Sequence, residues 1–373
     1  MAKTPVKNFS HRPESPVKQP FLAEAQMASW DWFVKKGLKS LFEEISPIKD
    51  YTGKELELYF SDYYFDEPKY NEETARFKDL SYEAPLRAKV KLVNRRTKDE
   101  KEQEVYLGDF PIMTKRGTFV INGVERTVVS QLIRSPGVYF TTEMSRGRKL
   151  FGAKVIPNRG CWLEFITDLD GSIGVKIDRH RKASASELLR IFGLDDKDLM
   201  IKTFKDVDAG SVKYIEATLK KDPAETTLQS YSEIYKRLRP GDLATPENAK
   251  SLIDAMLWRS DRYSLSPVGR FKLNQRLGIT SKKNKELLDL EDVILIIKEI
   301  IRLNNDSSAE PDDIDHLGNR RVRAVGELLQ NRLYVGFARL RRNIQDRMST
   351  QDPELLSPLQ LINARPLVAV QED

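Results

Sequence analysis

Apolar positions along the chain change from helical to strand spacing and back, and these changes predict the order of its elements. From residue 19 to residue 45, apolar side chains recur every three or four positions, which predicts a helix with one buried face. Between residues 53 and 107, apolar and polar residues alternate with period two, which predicts three strands. Helical spacing dominates from about 185 to 305 and returns at 322–348. The pattern is typical of an α+β protein.

The stretch 117–140 carries the clearest local signal. Two β-branched runs flank the Asn-Gly pair at 122–123, which accepts the positive φ angles of a type I′ turn, so we expect a hairpin that continues the preceding antiparallel sheet. Its second strand is expected to run through Gln131 to Arg134, where the Ser-Pro-Gly sequence at 135–137 ends the regular structure. Arg134 then either faces an anionic partner or, as residue type alone favours, is simply solvated.

The organisation of the chain follows from these elements. Residues 1–19, rich in Pro and Lys, are expected to form an arm that is either loose or becomes ordered on contact with a partner. The first domain, antiparallel strands packed on a helix, closes near residue 140, and a second domain is mostly helical around short strands. The long helix at 322–348 follows, and the apolar, proline-broken stretch 358–373 has no predicted terminal element and looks cut off.

Composition excludes several classes of protein. Of the 373 residues, 40% are apolar and 32% charged, which is typical of a globular protein with two or three domains. The single cysteine, Cys161, permits no internal disulfide, and the start of the chain lacks the apolar core of a signal peptide. We therefore expect a cytoplasmic protein. The longest apolar cluster, 293–297, is too short for a membrane span.

Basic charge is concentrated in two segments. The net charge is +6, but 134–182 and 314–347 each carry +5 and the rest of the chain carries −4. This distribution indicates a polyanion-facing surface if the fold brings the two segments together. Solvated faces of ordinary helices produce the same count.

For catalysis the chain offers little. The three histidines are far apart, no Cys/His spacing indicates zinc, and no phosphate-binding or nucleophile motif is present. The acids Asp312, Asp313 and Asp315 suit a hard cation such as magnesium. Solvated carboxylates, one of them paired with an arginine, are the more common arrangement.

Features suited to nucleic acid are more numerous. Trp162 follows Arg-Gly-Cys at the start of a predicted strand. An indole at this position could stack on an unpaired base. A lone tryptophan more commonly packs in the protein core. Arg320, Arg321 and Arg323 lie at a predicted helix start, where the macrodipole disfavours cations. Cations at such a place are better explained by a phosphate partner.

Six long stretches carry a family resemblance. They are FPIMTKRGTFVINGVERTVVSQLIRSPGVYF (110–140), IPNRGCWLEF (156–165), IDRHRKASASELLRIFG (177–193), YKRLRPGDLATPENAKSLI (235–253), RYSLSPVGRFKLNQRLG (262–278) and DDIDHLGNRRVRAVGELLQNRLYVGFARLRRNIQDRM (312–348). In this order, across nearly the whole chain, they resemble the bacterial DNA-directed RNA polymerase beta subunit.

The resemblance implies two modules that form one jaw of a DNA cleft. Residues 1–140 are the first part of the protrusion, 141–315 are an inserted lobe, and 316–373 return to the protrusion. At their junction a pocket would hold bases of the non-template strand, with Trp162 stacking on one base and Asp315 accepting hydrogen bonds from a guanine edge. The residues expected to contact DNA are Arg134, Trp162, Asp178, Arg179, Arg181, Ile314, Asp315, Arg320, Arg321 and Arg323. Gln131 would border the pocket for rifamycin antibiotics.

The same resemblance implies partners and limits. The chain would work with DNA, with the beta-prime and alpha subunits and with a sigma factor, in the cytoplasm and at the nucleoid. Catalytic Mg²⁺ is held in this family by aspartates of beta-prime, so the chain itself is expected to carry no catalytic residue, metal or cofactor. Nucleotidyl transfer would need the assembled enzyme, because later motifs of the family are missing here. The alternative is a stand-alone DNA-binding or scaffold protein without polymerase activity.

Overall fold

A computed structural model describes residues 21–280, 285–352 and 356–372 of the chain. The arm predicted at 1–19 lies outside these residues. The described part is an α+β structure with antiparallel sheets, which confirms the predicted fold class.

The chain divides into two compact units. Unit 1 comprises Met1–Gln131 and Val322–Asp373, and unit 2 comprises Leu132–Arg321. The boundaries drawn from the sequence lie nearby, at residues 140 and 315. Unit 2 is therefore a single continuous stretch of chain, and unit 1 is built from the two stretches on either side of it.

Strands of the described residues pair into four sheets. They are β1 Ile48–Lys49, β2 Leu56–Phe65, β3 Glu83–Asn94, β4 Asp99–Pro111, β5 Phe119–Ile121, β6 Val124–Arg126, β7 Gln131–Arg134, β8 Gly137–Ser145, β9 Arg148–Ile156, β10 Leu163–Thr167, β11 Ile173–Ile177, β12 Ala183–Ser184 and β13 Arg320–Arg323. The first four strands form one antiparallel sheet in chain order, and β8 to β12 form another. The remaining two sheets pair β5 with β6 and β7 with β13.

Helices occupy most of the remaining described chain. They are α1 Glu24–Trp32, α2 Leu38–Ile45, α3 Glu72–Phe77, α4 Ala185–Ile191, α5 Lys197–Phe204, α6 Tyr214–Lys221, α7 Thr227–Leu238, α8 Pro246–Leu257, α9 Ser266–Leu277, α10 Leu290–Asn305, α11 Val325–Thr350, α12 Pro358–Leu361 and α13 Arg365–Glu372. A π-helical turn, Phe33–Gly37, joins α1 to α2, and a 3₁₀ turn, Leu317–Asn319, precedes β13. The helix predicted from 19 to 45 is thus confirmed from Glu24 onward, with its buried face from Phe33 to Ile45, whereas residues 21–23 are not helical.

The core of unit 1 lies between its larger sheet and the helices α2 and α11. Every second residue of β3 is buried, which confirms the predicted period of two. Phe42 of α2 lies at the centre, with ring centroids 5.2 Å from Phe60 of β2 and 5.2 Å from Phe337 of α11. Such aromatic contacts join both helices to the sheet.

The long helix α11 buries one stripe, as its spacing predicts. Its buried apolar side chains are Val325, Leu333, Phe337, Leu340, Ile344 and Met348. Near its start Gly326 contacts α1, and the backbone N–H of Gly326 donates to Ser29 Oγ at 2.9 Å. The absence of a side chain at Gly326 is what permits this close approach, because a Cβ there would stand 2.2 Å from the Ser29 carbonyl oxygen.

The predicted turn at 122–123 is confirmed, with φ angles of 49° at Asn122 and 76° at Gly123. The expectation that the hairpin continues the larger sheet is wrong, because β5 and β6 pair only with each other. A turn closed by the Gly117 N–H on the Thr114 carbonyl, at 3.1 Å, redirects the chain after β4. Gly117 has φ +80°, which favours glycine at that turn.

Two further expectations are corrected in the described chain. The second hairpin strand does not run on to Arg134, because β6 ends at Arg126 and β7 belongs to another sheet. The tail is not without structure either, since α12 and α13 pack against β4 and α11. A capping box at Ser357 starts α12 immediately before its first-turn proline, a signal that the apolar spacing alone does not show.

The core of unit 2 lies between its five-stranded sheet and the surrounding helices, with α9 against β8 and α10 against β9. A capping box between Asp289 and Asp292 starts α10. This helix contains the apolar run 293–297 and buries Val293, Ile296, Ile297, Ile300, Ile301 and Leu303. None of the helices that the structure describes is both long and apolar enough to cross a membrane.

A buried ion pair joins α9 to the start of α10. The guanidinium of Arg270 donates from Nη1 to Asp292 Oδ1 and from Nη2 to Oδ2, each at 3.0 Å, and both side chains have no exposed surface. Arg270 Nη2 also donates to the Leu287 carbonyl at 2.6 Å. This paired geometry satisfies both charges in the core.

A second buried carboxylate, Glu187 of α4, is less well satisfied. Arg237 Nη1 donates to Glu187 Oε2 at 3.1 Å, whereas Oε1 is buried without a hydrogen-bond partner. Burial raises the pKa of Glu187 to about 7, against the opposing charge of Arg237 and with the support of Asp222 and Glu233. The folded state of unit 2 therefore holds this proton more tightly than the unfolded chain does.

Replacing Glu187 by Gln is expected to remove a pH dependence of stability. Because folding raises its pKa, Glu187 stabilises unit 2 below the unfolded pKa, and that contribution is lost as pH rises through about 7. Between about pH 5 and pH 7 the free energy of unfolding should fall by about 2 kcal/mol more in the unaltered chain than in Glu187→Gln. Urea unfolding at both pH values measures this difference. The exposed Glu225→Gln serves as control, and equal pH dependence in all three proteins would contradict the assignment.

Candidate nucleic-acid interface

Nine of the ten predicted DNA contacts lie in unit 2, between Leu132 and Arg321. The exception is Arg323, which belongs to unit 1 and pairs with Glu327 of α11 at 3.4 Å. Gln131, the predicted border of an antibiotic pocket, is the exposed first residue of β7 and also belongs to unit 1. The interface described below is therefore built within unit 2.

Trp162 is held by its backbone at the edge of the five-stranded sheet. It immediately precedes β10, and its N–H donates to Asp178 Oδ1 at 2.8 Å while its carbonyl accepts from the Asp178 N–H at 3.0 Å. The second bond extends the β10–β11 ladder beyond the pair Leu163 and Ile177, and in the first the Asp178 side chain accepts in place of a ladder carbonyl. The indole is half-buried rather than fully enclosed in the core. Asp178 thus acts in the structure as a residue that positions Trp162.

The turn after β11 places an arginine over the indole. Asp178 and Arg179 have φ angles of 47° and 64°, and the His180 N–H closes the turn on the Ile177 carbonyl at 3.0 Å. Two left-handed residues in succession are the signature of a type I′ turn, which usually contains Asn or Gly. The Arg179 guanidinium lies 5.6 Å from the centre of the Trp162 ring, within the range of a cation–π contact.

A second group of predicted residues lies on β7 and β13, which pair with each other. Arg134 of β7 is exposed, and Arg320 of β13 donates to the exposed carboxylate of Asp315. Arg321 Nη2 donates to Asn158 Oδ1 at 3.0 Å, four residues before Trp162 in the chain. The two groups are thus joined through the segment 156–163.

The helix start predicted at Arg320 is wrong. Arg320, Arg321 and Arg323 lie on β13, and α11 begins only at Val325, after an extended Ala324. Val322, whose spacing matched the helical stripe, is 62% exposed and does not face the core. The helix macrodipole therefore does not act on these arginines, which lie on a strand that pairs with β7.

The acidic residues before β13 accept hydrogen bonds from different parts of the chain. Asp312 accepts from the Phe140 N–H at 2.8 Å and from Arg276 Nε at 3.1 Å. Asp313 Oδ1 accepts the backbone N–H of Asp315 at 2.9 Å. In the described residues no group of three or more His, Cys, Asp or Glu side chains converges to hold a metal. Ile314 between them is half-buried.

Both the loop that follows β11 and the β7–β13 pair carry an arginine without an acidic partner in the described chain. In the part of the chain that the structure describes, no acidic side chain pairs with Arg134 or Arg181, and both are exposed. Arg134 also acts on Tyr139, since burial raises the pKa of that phenol and the positive charge of Arg134 opposes the shift. These two cations are available to an anionic ligand such as phosphate.

Comparison with known proteins relates this unit to a family. The family described as RNA polymerase Rpb2, domain 2, matches residues 134–323, half of the chain and nearly all of unit 2. The chain belongs to the RNA polymerase beta-subunit family. The resemblance stated from its motifs is thus confirmed.

Beta-subunit relatives match along almost the whole chain. The "DNA-directed RNA polymerase subunit beta" of Chloroflexus aggregans is 47% identical over 95% of this chain and 31% of its own length. The protein of the same name from Syntrophomonas wolfei is 42% identical over 97% of this chain and 32% of its own length. The chain therefore spans about a third of the beta subunits that it matches.

The sequence predicted the residues of this candidate interface, and their contact with DNA stays a prediction. The sequence did not show the contacts among these residues, in which Asp178 bonds to the Trp162 backbone and Arg179 lies over its ring. It also missed Asn158, which links Arg321 to the segment before Trp162. A short polar residue after Pro157 carries no signal of that contact in the sequence.

Proposed function

We propose that this chain works as part of the beta subunit of a DNA-directed RNA polymerase, and that unit 2 grips downstream DNA and the displaced non-template strand. The observation that carries the proposal is the half-buried Trp162, fixed by two backbone bonds and lying under an arginine. An indole held in this way offers a stacking surface to an unpaired base. The membership in the beta-subunit family supports the same function.

The exposed arginines and the exposed carboxylate of the candidate site suit different parts of the DNA. Arg134 and Arg181, exposed and without acidic partners in the described chain, suit phosphates, which give affinity without base preference. Asp315 is 79% exposed, and its carboxylate suits the N–H donors on the Watson–Crick edge of guanine. Arg320 occupies one oxygen of that carboxylate and so fixes its orientation.

The rest of the assembly follows from the family and stays a prediction. The chain would join beta-prime, alpha and a sigma factor in the cytoplasm, at the nucleoid, with Mg²⁺ held by beta-prime aspartates. Gln131 would border the rifamycin pocket, and Arg323 would add to the DNA contacts from unit 1. Nucleotidyl transfer belongs to that assembled enzyme, to which this chain would contribute binding and positioning.

The test is a pair of substitutions in a polymerase assembled with this chain. Trp162→Ala should shorten the lifetime of the open promoter complex by about tenfold, because one base loses its stacking surface. Asp315→Ala should leave the lifetime closer to normal but abolish a preference for guanine at one non-template position. Lifetimes on templates that differ only at that position measure both effects.

Trp32→Ala, an exposed tryptophan of α1 in unit 1, is the matched control and should behave as the unaltered enzyme. Unchanged lifetime and unchanged base preference in both test variants would overturn the assignment of the site.

A rival function is a stand-alone DNA-binding or scaffold protein with the same surface. Uncompensated charge at Arg134 and Arg181 fits this function equally well. Co-purification separates the two: recovery with alpha and beta-prime and template-dependent synthesis supports the polymerase, whereas a monomer that only binds DNA supports the rival.

A further inference from the structure

We infer that Arg179 and Trp162 form the two walls of a slot for one unpaired base, with the guanidinium stacked on the face of the base opposite to the indole. The inference rests on the proposed function, in which unit 2 binds unpaired DNA. It gives Arg179, expected from the family only to contact DNA, the specific role of a stacking partner, and it gives Asp178 the role of positioning both walls.

The distance between the two groups fits this role. The guanidinium carbon lies 5.6 Å from the centre of the indole ring. Direct stacking of two flat groups brings them to about 3.5–4 Å, and a base between them needs about twice that separation. The observed separation of Arg179 from the indole therefore lies between that of direct stacking and that needed to hold a base. An outward shift of the guanidinium by about 1.5–2.5 Å would admit a base.

The backbone on both sides of the slot is fixed. Only the side chain of Arg179 can therefore move to admit a base. The backbone N–H and carbonyl of Trp162 are both bonded to Asp178. Asp178 and Arg179 are held in left-handed conformations, which residues other than glycine adopt infrequently and which surrounding contacts stabilise. Here the contacts that stabilise them are the Trp162 bonds and the turn-closing bond from His180 to Ile177.

Arginine is the side chain best suited to the outer wall. Its planar guanidinium stacks on bases as well as on aromatic rings, and it stays charged next to the DNA backbone. No acidic side chain in the described chain pairs with Arg179, so its planar group is not committed elsewhere. Arg181 lies two residues further along the same loop and has no aromatic-ring contact in the described chain. It therefore serves as a control cation that can contact only phosphate.

The experiment compares two labelled single-stranded oligonucleotides, one carrying guanines and one of equal length with abasic sugars throughout. The full chain is used, as Arg179→Ala, Arg179→Lys, Trp162→Ala and the double variant Trp162→Ala/Arg179→Lys. Lysine keeps the charge and removes the flat stacking group. Circular dichroism and thermal unfolding show that each variant keeps its fold.

Stacking by Arg179 predicts that Arg179→Lys weakens binding of the guanine oligonucleotide about two- to fivefold and leaves binding of the abasic one unchanged. It also predicts that Arg179→Lys has no further effect once Trp162 is Ala, because the slot then has lost its other wall. Arg181→Ala, as control, should weaken both oligonucleotides by the same factor.

Three outcomes contradict the inference, and they can be told apart. Full binding by Arg179→Lys with equal losses on both oligonucleotides for Arg179→Ala would make Arg179 a phosphate contact. A loss in Arg179→Lys that persists in the Trp162→Ala background would overturn the slot while leaving the DNA site in place. Failure of the unaltered chain to bind either oligonucleotide would overturn the proposed DNA grip, and the slot with it.

Discussion

Arg270→Ala should destabilise unit 2 by about 3–5 kcal/mol, the largest effect that we expect from a single substitution in this chain. The change leaves Asp292 as a buried carboxylate without its counter-charge, and it removes the guanidinium donor to the Leu287 carbonyl. Both side chains have no exposed surface, so water cannot replace the lost partner without disrupting the core. Urea unfolding monitored by circular dichroism measures the loss, as a lower midpoint with an unchanged slope.

Arg239→Ala is the matched control for this prediction. Arg239 pairs with Asp242 at 3.8 Å on the surface of the same unit, and both side chains are 56% exposed. An exposed pair of this kind contributes about 0–1 kcal/mol, so the control should be close to the unaltered protein. Similar stabilities of the two variants would mean that Asp292 finds another partner or a proton when Arg270 is removed.

Gly326→Ala should destabilise unit 1 by about 3 kcal/mol. The new Cβ would stand 2.2 Å from the Ser29 carbonyl oxygen, so α1 and α11 must separate at this point. A backbone carbonyl cannot rotate away as a side chain can, and the gain of about 1 kcal/mol from replacing glycine inside a helix does not offset the clash. Thermal unfolding followed by circular dichroism measures the change as a lower midpoint.

Gly336→Ala is the control in the same helix. Its new Cβ would meet Leu367 Cδ2 and the Pro366 carbonyl oxygen at 3.1 Å, contacts that small shifts relieve. The helix preference of alanine should then offset the crowding, and stability should stay within about 1 kcal/mol of the unaltered chain. A Gly326→Ala variant as stable as Gly336→Ala would show that α1 moves away from α11 at little cost.

The elements that could be predicted from the sequence are those with strong local chemistry. The turn at 122–123 has the Asn-Gly pair that type I′ geometry favours, and the long stripe of α11 repeats its spacing over seven turns. In both cases the local preference and the final fold agree. Elements of this kind dominate the chain, which is why the α+β class could be read from spacing alone.

The turn at Asp178 and Arg179 could not be predicted, because arginine rarely adopts a left-handed backbone and aspartate does so only occasionally. The bonds between Asp178 and Trp162, sixteen residues apart in the chain, stabilise it together with the turn-closing bond from His180 to Ile177. The start of α11 shows a different limit. Val322 fits the helical stripe by spacing, but one matching position at the end of a pattern does not determine where a helix begins.

The distribution of charge shows a third limit. The two basic segments were expected to make a single surface if the fold brought them together. In the structure, unit 2 ends at Arg321, so the arginines from 323 onward belong to unit 1 and only Arg320 and Arg321 join the first segment in one unit. A net charge counted along the sequence does not show where compact units divide.

The pairing of β7 with β13 has a consequence for how the chain tolerates change. The N–H of Ser135 donates to the carbonyl of Asn319 at 2.9 Å, so the polypeptide returns to the place from which it departed. Residues 132–321 therefore leave unit 1 and return to it at neighbouring positions, as a short loop would. The distance between the two ends does not depend on the number of residues between them. Insertions and deletions within residues 132–321 leave the pairing of β7 with β13 unchanged. Unit 2 is therefore the part of this chain best placed to vary in size during evolution.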